Sequence, residues 1–549
     1  MKRTALGALV TITMAGCASF ESYEITHDFK PPEQDSTAQP DWITQLDQES
    51  IDLALGPPFD LVPEFDYQPG HYSSTVPDYP MDIWQRLREG FQLEAENNSR
   101  IEQQKQLFKG RNSYFNALAR RAEPYLYYIL DEIEERDMPT EVVALAVVES
   151  AFQPFAYSHG RAAGVWQFIP STGRIFGLEM NYWYDGRRDI VASTEAALDY
   201  LDRLAETFDG DWLLAMAAYN AGQGNVRAAQ QRARAAGKEP SYWNLQLPSE
   251  TMAYVPRILA IRDIIQEPEE YQVSLPPITN EQRIRIVEAD HQIDLALAAE
   301  WADISIDRLY LLNPGYNRWA TAPEGPHRLV LPKEEADRLE AELAKMDRDE
   351  LVEWRRHEVS SGETLSHIAR QYNINVDLIQ EINGLHDHSL RTGDTLYVPV
   401  SSRPPSEYSL SAANRLRALQ QRNRAGERRE HIVQPGETLW DISRSYNVSV
   451  RQLASWNGMA PGDTLRPNQK LVVWVDGEAI QAGADSPSQR KQTITYTVRR
   501  GDSLARIAQR FNVRVSDIKR TNDIAEGSYL QPGQRLRIEV DVTQQGANL

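Results

Sequence analysis

Three stretches in the second half of the chain repeat one another closely enough to dictate how that half folds. They are Val359-Ser360-Ser361-Gly362-Glu363-Thr364-Leu365, Val433-Gln434-Pro435-Gly436-Glu437-Thr438-Leu439 and Val498-Arg499-Arg500-Gly501-Asp502-Ser503-Leu504. Each runs on with apolar residues at i, i+3 and i+7, the spacing of one helix face: Leu365/Ile368/Tyr372, Leu439/Ile442/Tyr446 and Leu504/Ile507/Phe511. Thr364, Thr438 and Ser503 stand just before that face, where a side-chain oxygen can cap the helix. An asparagine follows 18 residues after each Leu, at Asn383, Asn457 and Asn522. Each unit closes on a short apolar run, Leu396-Tyr397-Val398, Leu471-Val472-Val473 or Leu536-Arg537-Ile538. The predicted order is strand, helix, helix, strand within roughly 45 residues, a small repeated domain.

These units, at residues 356–400, 430–475 and 494–540, resemble LysM modules. The resemblance implies binding to N-acetylglucosamine-containing polymers such as peptidoglycan, in a groove between the strand-to-helix and helix-to-strand loops. Carried over, it points to Gly362, Thr364 and Asn383, to Gly436, Thr438 and Asn457, and to Gly501, Ser503 and Asn522. The competing expectation for each of these residues taken singly is a fold-making one: turn, cap and helix end. A divergent fourth copy is expected at residues 285–335, where Leu295 and Asn313 are again 18 apart and Leu329-Val330-Leu331-Pro332 would close the unit. It has Gln292-Ile293-Asp294-Leu295 in place of the Gly-acid-Thr-Leu turn, so it is expected to pack against its neighbour. Between the first two clear copies, residues 401–429 hold seven arginines and little apolar material. They read as a basic, solvated linker, helical over Ala412 to Gln421.

The opposite end of the chain reads as a targeting segment. Lys2 and Arg3 precede a short apolar stretch from Ala5 to Met14, too short to span a bilayer. Cys17, the only cysteine, follows Met14-Ala15-Gly16, which resembles the lipobox of bacterial lipoproteins. The resemblance implies removal of residues 1–16, acylation of Cys17 and, with Ala18 next, an outer-membrane location facing the periplasm. Residues 17–80 then form an acidic, Pro-rich tether. Residues 18–100 hold 17 acidic and 4 basic side chains, and the whole chain is at −21. That balance opposes general nucleic-acid binding, which needs cations against phosphates. A single cysteine in 549 residues excludes an internal disulfide framework and a Cys-based zinc site. The ten histidines show no ligand spacing, so neither metal nor cofactor is implied.

Candidate chemistry lies in residues 81–270, which read as mostly helical. Pro139-Thr140-Glu141 marks a helix start, with Thr140 as the expected cap and Glu141 near the positive end. The run Val142-Val143-Ala144-Leu145-Ala146-Val147-Val148-Glu149-Ser150 is apolar all round and should be buried. Its one interruption is Glu149. A carboxylate there is costly unless paired, and desolvation raises its pKa toward the range of a general acid. A satisfied structural glutamate is the alternative on this observation alone.

Glu149-Ser150, Gly164-Val165-Trp166-Gln167-Phe168 and Ala218-Tyr219-Asn220-Ala221-Gly222 together resemble the lytic transglycosylases of goose-lysozyme-like fold. Asp185-Gly186-Arg187-Arg188-Asp189 and Glu250-Thr251 with Tyr254-Val255-Pro256 also fit that family. The implied fold class is α+β and multidomain, a mainly helical lysozyme-like domain followed by small βααβ modules. The resemblance implies Glu149 as the one catalytic carboxyl, first acid and then base, with Ser150, Gln167, Tyr219 and Asn220 at the substrate. Tyr182, Trp183 and Tyr184 would either stack on sugar or pack, and Asp185, Arg187, Arg188 and Asp189 would form a structural ion-pair network. Two further readings stay open: a hydrolytic muramidase, and a non-catalytic tether between outer membrane and cell wall.

Overall fold

The computed structural model describes residues 82–94, 98–346, 351–372, 374 and 376–475, and within the last repeat 491–497, 518–519, 521–522 and 534–541. The signal segment, Cys17, the acidic tether, Gly501 and Ser503 lie outside the described residues. No helix among the described residues is long and apolar enough to cross a membrane.

The first body is helical: α1 (Ile83–Glu89), α2 (Ser99–Phe108), α3 (Asn112–Ala122), α4 (Leu126–Glu135), α5 (Val142–Ser150), α6 (Pro170–Ile175), α7 (Ile190–Thr207), α8 (Trp212–Ala221), α9 (Gln223–Ala235) and α10 (Ser249–Gln266). Its core is built around α5, whose residues Val142 to Val147 are all buried, as an apolar-all-round helix requires. The expected cap at Thr140 does not form. Its Oγ1 instead donates to Leu87 O at 2.7 Å, which ties α1 to the start of α5. Helix α10 lies across α5 and contains Pro256, whose ring nitrogen has no proton to give Met252 O. Tyr242 Oη donates to that carbonyl instead, at 3.2 Å.

Four small units follow, each a two-stranded antiparallel sheet. The first holds β1 (Ile284–Glu288), α11 (Leu295–Ala302), α12 (Ile306–Leu312) and β2 (Arg328–Pro332), and is followed by α13 (Lys333–Leu343). The second holds β3 (Glu353–Glu358), α14 (Leu365–Gln371), α15 (Val376–Ile382) and β4 (Thr395–Val400). After helix α16 (Ala412–Gln421) comes the third: β5 (Glu427–Ile432), α17 (Leu439–Ser445), α18 (Val450–Trp456) and β6 (Lys470–Val475). Strands β7 (Lys491–Thr497) and β8 (Arg535–Asp541) pair in the fourth.

One device recurs in all four units. Asn383 Nδ2 donates to Ile379 O and Tyr397 O while its Oδ1 accepts from Tyr397 N, at 2.8, 2.9 and 2.7 Å. Asn457 does the same with Leu453 and Val472, Asn522 with Ile518 and Arg537, and Asn313 with Leu309 and Val330. The amide thus closes the last turn of the second helix and zips it to the closing strand. A second recurring feature joins His357 to Tyr372 Oη and Glu363 at 3.0 Å each, and His431 to Tyr446 Oη and Glu437 at 3.2 and 2.9 Å. Glu363 and Glu437 also accept from the backbone N–H of Ser360 and Gln434, and these bonds first, then the imidazoles, hold both carboxyls below the ordinary range.

Residues 401–429 do include the expected helix, yet they are a docked strap and no solvated spacer. Tyr408 and Leu410 are buried. Tyr408 Oη donates to Asp294 at 2.9 Å, Ser402 N donates to the same carboxylate at 2.8 Å, and Ala412 N reaches Asn317 O at 2.9 Å. Two buried aromatic and aliphatic side chains outweigh a run of arginines in deciding where this segment lies.

Candidate active site

Helix α5 places a glutamate at each end. Glu141, fully buried, accepts from Gln92 N at 3.0 Å and Leu93 N at 2.8 Å, with Arg262 Nη1 at 3.9 Å. Glu149, on the last turn, has a different surrounding. Its Oε1 accepts a 2.5 Å hydrogen bond from Tyr254 Oη on α10. Burial pushes the Glu149 carboxyl up to about 7, and the charge of Glu250 adds to this. The Tyr254 hydrogen bond and the more distant Arg257 pull it back. Burial and the neighbouring Glu149 in turn hold the Tyr254 phenol well above its ordinary range.

The chain leaves Glu149 abruptly. Ala151 and Phe152 have φ of 49° and 58°, consecutive left-handed residues without glycine's freedom. Ala151 N still bonds Val147 O at 2.8 Å, and Arg121 Nη1 donates to Ala151 O at 2.8 Å. This fixed reversal directs the following residues away and leaves the end of the helix, with its carboxyl, on a partly exposed face.

A turn over Gly164 to Phe168 forms the next wall. Gly164 has φ of 79°, and a Cβ there would sit 1.9 Å from Arg187 O, so only glycine fits. Trp166 is wholly buried and donates Nε1 to Thr194 Oγ1 at 3.0 Å. Gln167, also left-handed at φ 49°, is half-buried and donates Nε2 to Gly164 O at 2.7 Å. Ser150 is buried, and its Oγ donates to Val165 O at 2.8 Å, fastening this turn to the end of α5. Tyr219 Oη donates to Trp166 O at 2.8 Å, so the phenol that meets Glu149 belongs to Tyr254 and not to Tyr219. Tyr219 still lies close enough for the Glu149 charge to add to burial in raising its phenol. Asn220 Oδ1 accepts from Thr251 Oγ1 at 2.7 Å, joining α8 to α10 one turn before Tyr254.

The structure therefore brings Glu149, Ser150, Gln167, Tyr219 and Asn220 into one site and adds Tyr254 and Thr251. Sequence reasoning placed Tyr254 and Thr251 in a motif but gave them no role; Tyr254 lies 105 residues from its partner. Trp183 and Tyr184 are buried in the second core, so they pack. Asp185 takes a bidentate ion pair from Arg187, and Asp189 pairs with Arg328. Arg188 takes no part in these ion pairs.

Comparison with known proteins matches the residues around this site to a family. A model of the transglycosylase SLT domain matches residues 129–241. A model of the LysM-like domain of lytic transglycosylase MltD matches residues 283–348, and the LysM domain model matches 357–399, 431–474 and 496–539. The membrane-bound lytic murein transglycosylase D of Escherichia coli is 35% identical over 468 residues, covering 85% of this chain and 87% of that protein. A putative tributyltin chloride resistance protein of an Alteromonas species is 35% identical over 186 residues, 34% of this chain and 88% of its own. Among solved structures, the 70 kDa soluble lytic transglycosylase of Escherichia coli aligns over 34% of this chain and 32% of its own, at 22% identity and a TM-score of 0.22. The SLT, MltD LysM-like and LysM models match in that order along this chain, and 35% identity extends over 85% of it, so the chain belongs to the family of membrane-bound lytic murein transglycosylase D.

Proposed function

We propose that this chain is a peptidoglycan lytic transglycosylase that cleaves the β-1,4 bond between N-acetylmuramic acid and N-acetylglucosamine. The observation that carries the reading is Glu149: a carboxyl raised to about 7, half-buried, with the Tyr254 phenol as its hydrogen-bond donor. Such a group holds its proton near neutral pH and can also take one back.

In the first step Glu149 gives its proton to the glycosidic oxygen as the bond to the muramic C1 breaks. The acetamido oxygen of the same sugar closes on C1 and carries the positive charge. In the second step the Glu149 carboxylate takes the C6 hydroxyl proton, O6 bonds C1, and the acetamido group is released. The product is a 1,6-anhydro sugar one water lighter than a hydrolysis product. Two-carboxylate glycosidases need a second acid residue as base or nucleophile. Here the substrate supplies both stabiliser and nucleophile, and the attack is intramolecular. Tyr254 orients the carboxyl and steadies its charged form between the steps. Gln167 and Tyr219 face the sugar, while Ser150 and Asn220 hold the walls through Val165 and Thr251.

The LysM units would keep the enzyme on its polymer and raise local substrate concentration. Gly362, Thr364, Gly436 and Thr438 shape the expected sugar-side turns, at φ of 80° for Gly362 and 89° for Gly436. Gly501 and Ser503 stand at the matching positions in the third copy. Asn383, Asn457 and Asn522 serve these grooves indirectly, as clamps. A lipid-anchored Cys17 would place the protein in the outer membrane of a Gram-negative envelope, facing the periplasm.

The test is digestion of purified peptidoglycan by the unsubstituted chain and by Glu149→Gln, read by mass spectrometry. Anhydro products absent with the variant support the proposal. Full-mass reducing ends would make the chain a muramidase, with exposed Glu250 as the second carboxylate to examine. No products from either chain, with peptidoglycan pull-down intact, would leave a tether.

A further inference from the structure

Five guanidiniums gather where the loop after Glu149, the Tyr182–Arg188 segment, the divergent unit and the strap come together. Two have carboxylate partners: Arg187 with Asp185 at 2.8 Å, and Arg161 with Asp463 at 2.6 Å. The other three, Arg188, Arg318 and Arg415, have no carboxylate within 4.0 Å among the described residues. Each comes from a different segment, and all three are half-buried, neither sealed in the core nor free in solvent.

Their positions are tied together. Arg188 Nη1 donates to Asn317 Oδ1 at 3.2 Å, and Arg318 is the next residue. Asn317 O receives Ala412 N, the first residue of α16, and Arg415 follows one turn later. The Arg415 guanidinium lies over the Phe155 ring at 4.2 Å, and that of Arg318 lies over Tyr182 at 3.9 Å. The Nε atoms of Arg188 and Arg318, and the indole Nε1 of the adjacent Trp183, are buried without a hydrogen-bond partner among the described residues. Burial, and then repulsion from Arg188, depress the Arg415 guanidinium well below its ordinary range; Tyr310 and Asp185 oppose this, and Arg318 adds to it.

Three like charges held together, two of them on aromatic faces and with orphaned N–H groups among them, are costly in isolation. The same arrangement is what planar oxyanion recognition needs: fork-like donors, restricted rotamers and partial desolvation. The backbone of Arg187 and Arg188 lies against Gly164, in the turn that walls the Glu149 site, so an anion held here would sit next to that turn. The glycan reacting at Glu149 carries its negative charge on the peptide stems attached to muramic acid, as free carboxylates. We propose that Arg188, Arg318 and Arg415, with the faces of Phe155 and Tyr182, form a binding site for a stem-peptide carboxylate of the strand being cleaved. This rests on the peptidoglycan reading of the site above.

The test uses the full chain carrying Glu149→Gln, so that binding is read without turnover. Isothermal titration with a synthetic stem tetrapeptide, as free acid and with its carboxyls amidated, measures the site directly. The free acid is expected to bind at least tenfold more tightly than the amide. Adding Arg318→Gln and Arg415→Gln together should remove that difference, whereas Arg318→Lys with Arg415→Lys, which keeps the charge, should retain part of it and controls for folding. Equal binding of acid and amide, or an acid preference that survives the double Gln variant, overturns the proposal. Inorganic phosphate displacing the tetrapeptide, but binding no more weakly than it, would overturn the assignment to a stem carboxylate in favour of a general oxyanion site. Digestion of peptide-stripped glycan by the unsubstituted chain is run alongside. Anhydro products there, with no acid preference in titration, would sink the stem site and leave the catalytic reading standing.

Discussion

Glu141 and Glu149 occupy the two ends of one apolar helix, about 12 Å apart at 1.5 Å per residue. Glu141 faces backbone N–H groups of Gln92 and Leu93 and a guanidinium, and it sits at the positive end of the helix. Glu149 sits at the negative end with a phenol, and a further carboxylate disfavours its charge. On the mechanism proposed above, the same side chain is a structural fastener where donors converge on it and a proton carrier where they do not. Burial alone does not separate the two roles. The supply of N–H groups does.

The comparison breaks most visibly on activity. Glu149→Gln should cut turnover by roughly 10²–10⁴-fold, the range a positioned general acid contributes, whereas Glu141→Gln should leave turnover per folded molecule within a few-fold. Release of anhydro muropeptides, normalised to folded protein, reads both.

Stability should reverse the order. Replacing Glu141 by Gln turns an amide N–H toward backbone donors in a buried place, and a loss of about 1–3 kcal/mol is expected in urea unfolding. Glu149 behaves oppositely because its folded pKa, about 7, lies above its ordinary 4.5. Between those values the unfolded chain has released the proton that the folded one retains, so stability falls as pH rises through this window and is flat above it. Glu149→Gln should therefore be more stable than the unsubstituted chain at pH 8, by up to about 3 kcal/mol, and show no advantage below pH 4.5. An E149Q chain that melts earlier at pH 8 would mean that the carboxylate is a fastener like Glu141.

Tyr254→Phe sharpens the contrast within the site. A hydrogen bond to a charged acceptor contributes about 1.5–3 kcal/mol, so turnover should drop roughly ten- to a hundredfold. The working form of Glu149 in the first step is protonated, so the rate declines as pH rises through about 7. Removing a donor that favours the carboxylate moves this decline to higher pH, and a pH–rate profile of the variant checks the direction. A decline that moved down would mean that Tyr254 does not act on Glu149.

The smallest effect is expected at Ser150. Ser150→Ala leaves Val165 O without its donor and should raise KM several-fold with little change in kcat, at a stability cost of about 1 kcal/mol.

How much of this could be read from the sequence follows from range. Periodicity and turn residues reveal α5, α8 and α16 because those signals are local, and Glu149 stands out as the polar break in an apolar run. Glu141 begins the same run, but its satisfaction depends on Gln92 and Leu93, some 49 residues away. Tyr254 is equally silent, since nothing in its own neighbourhood points to a carboxylate 105 residues earlier. Thr140 has the composition of a cap, yet a tertiary acceptor at Leu87 won its hydroxyl. The strap was misleading for a related reason: its many arginines outnumber the few apolar residues that anchor it, and composition counts residues without weighing them.

The bond between Tyr408 and Asp294 has a consequence for valency. Asp294 occupies the helix-cap position that Thr364 and Thr438 hold in the clear copies, and it caps α11 through Ala296 N at 2.7 Å. In those copies that position borders the turn expected to face sugar. In the divergent unit the polypeptide itself lies there, with Tyr408 and Ser402 both on the one carboxylate. A glycan approaching this unit would have to displace a covalently tethered competitor whose local concentration no soluble polymer matches. In the divergent unit that position is thereby filled by the chain's own strap, and on the proposed function avidity for the wall would fall to the clear copies.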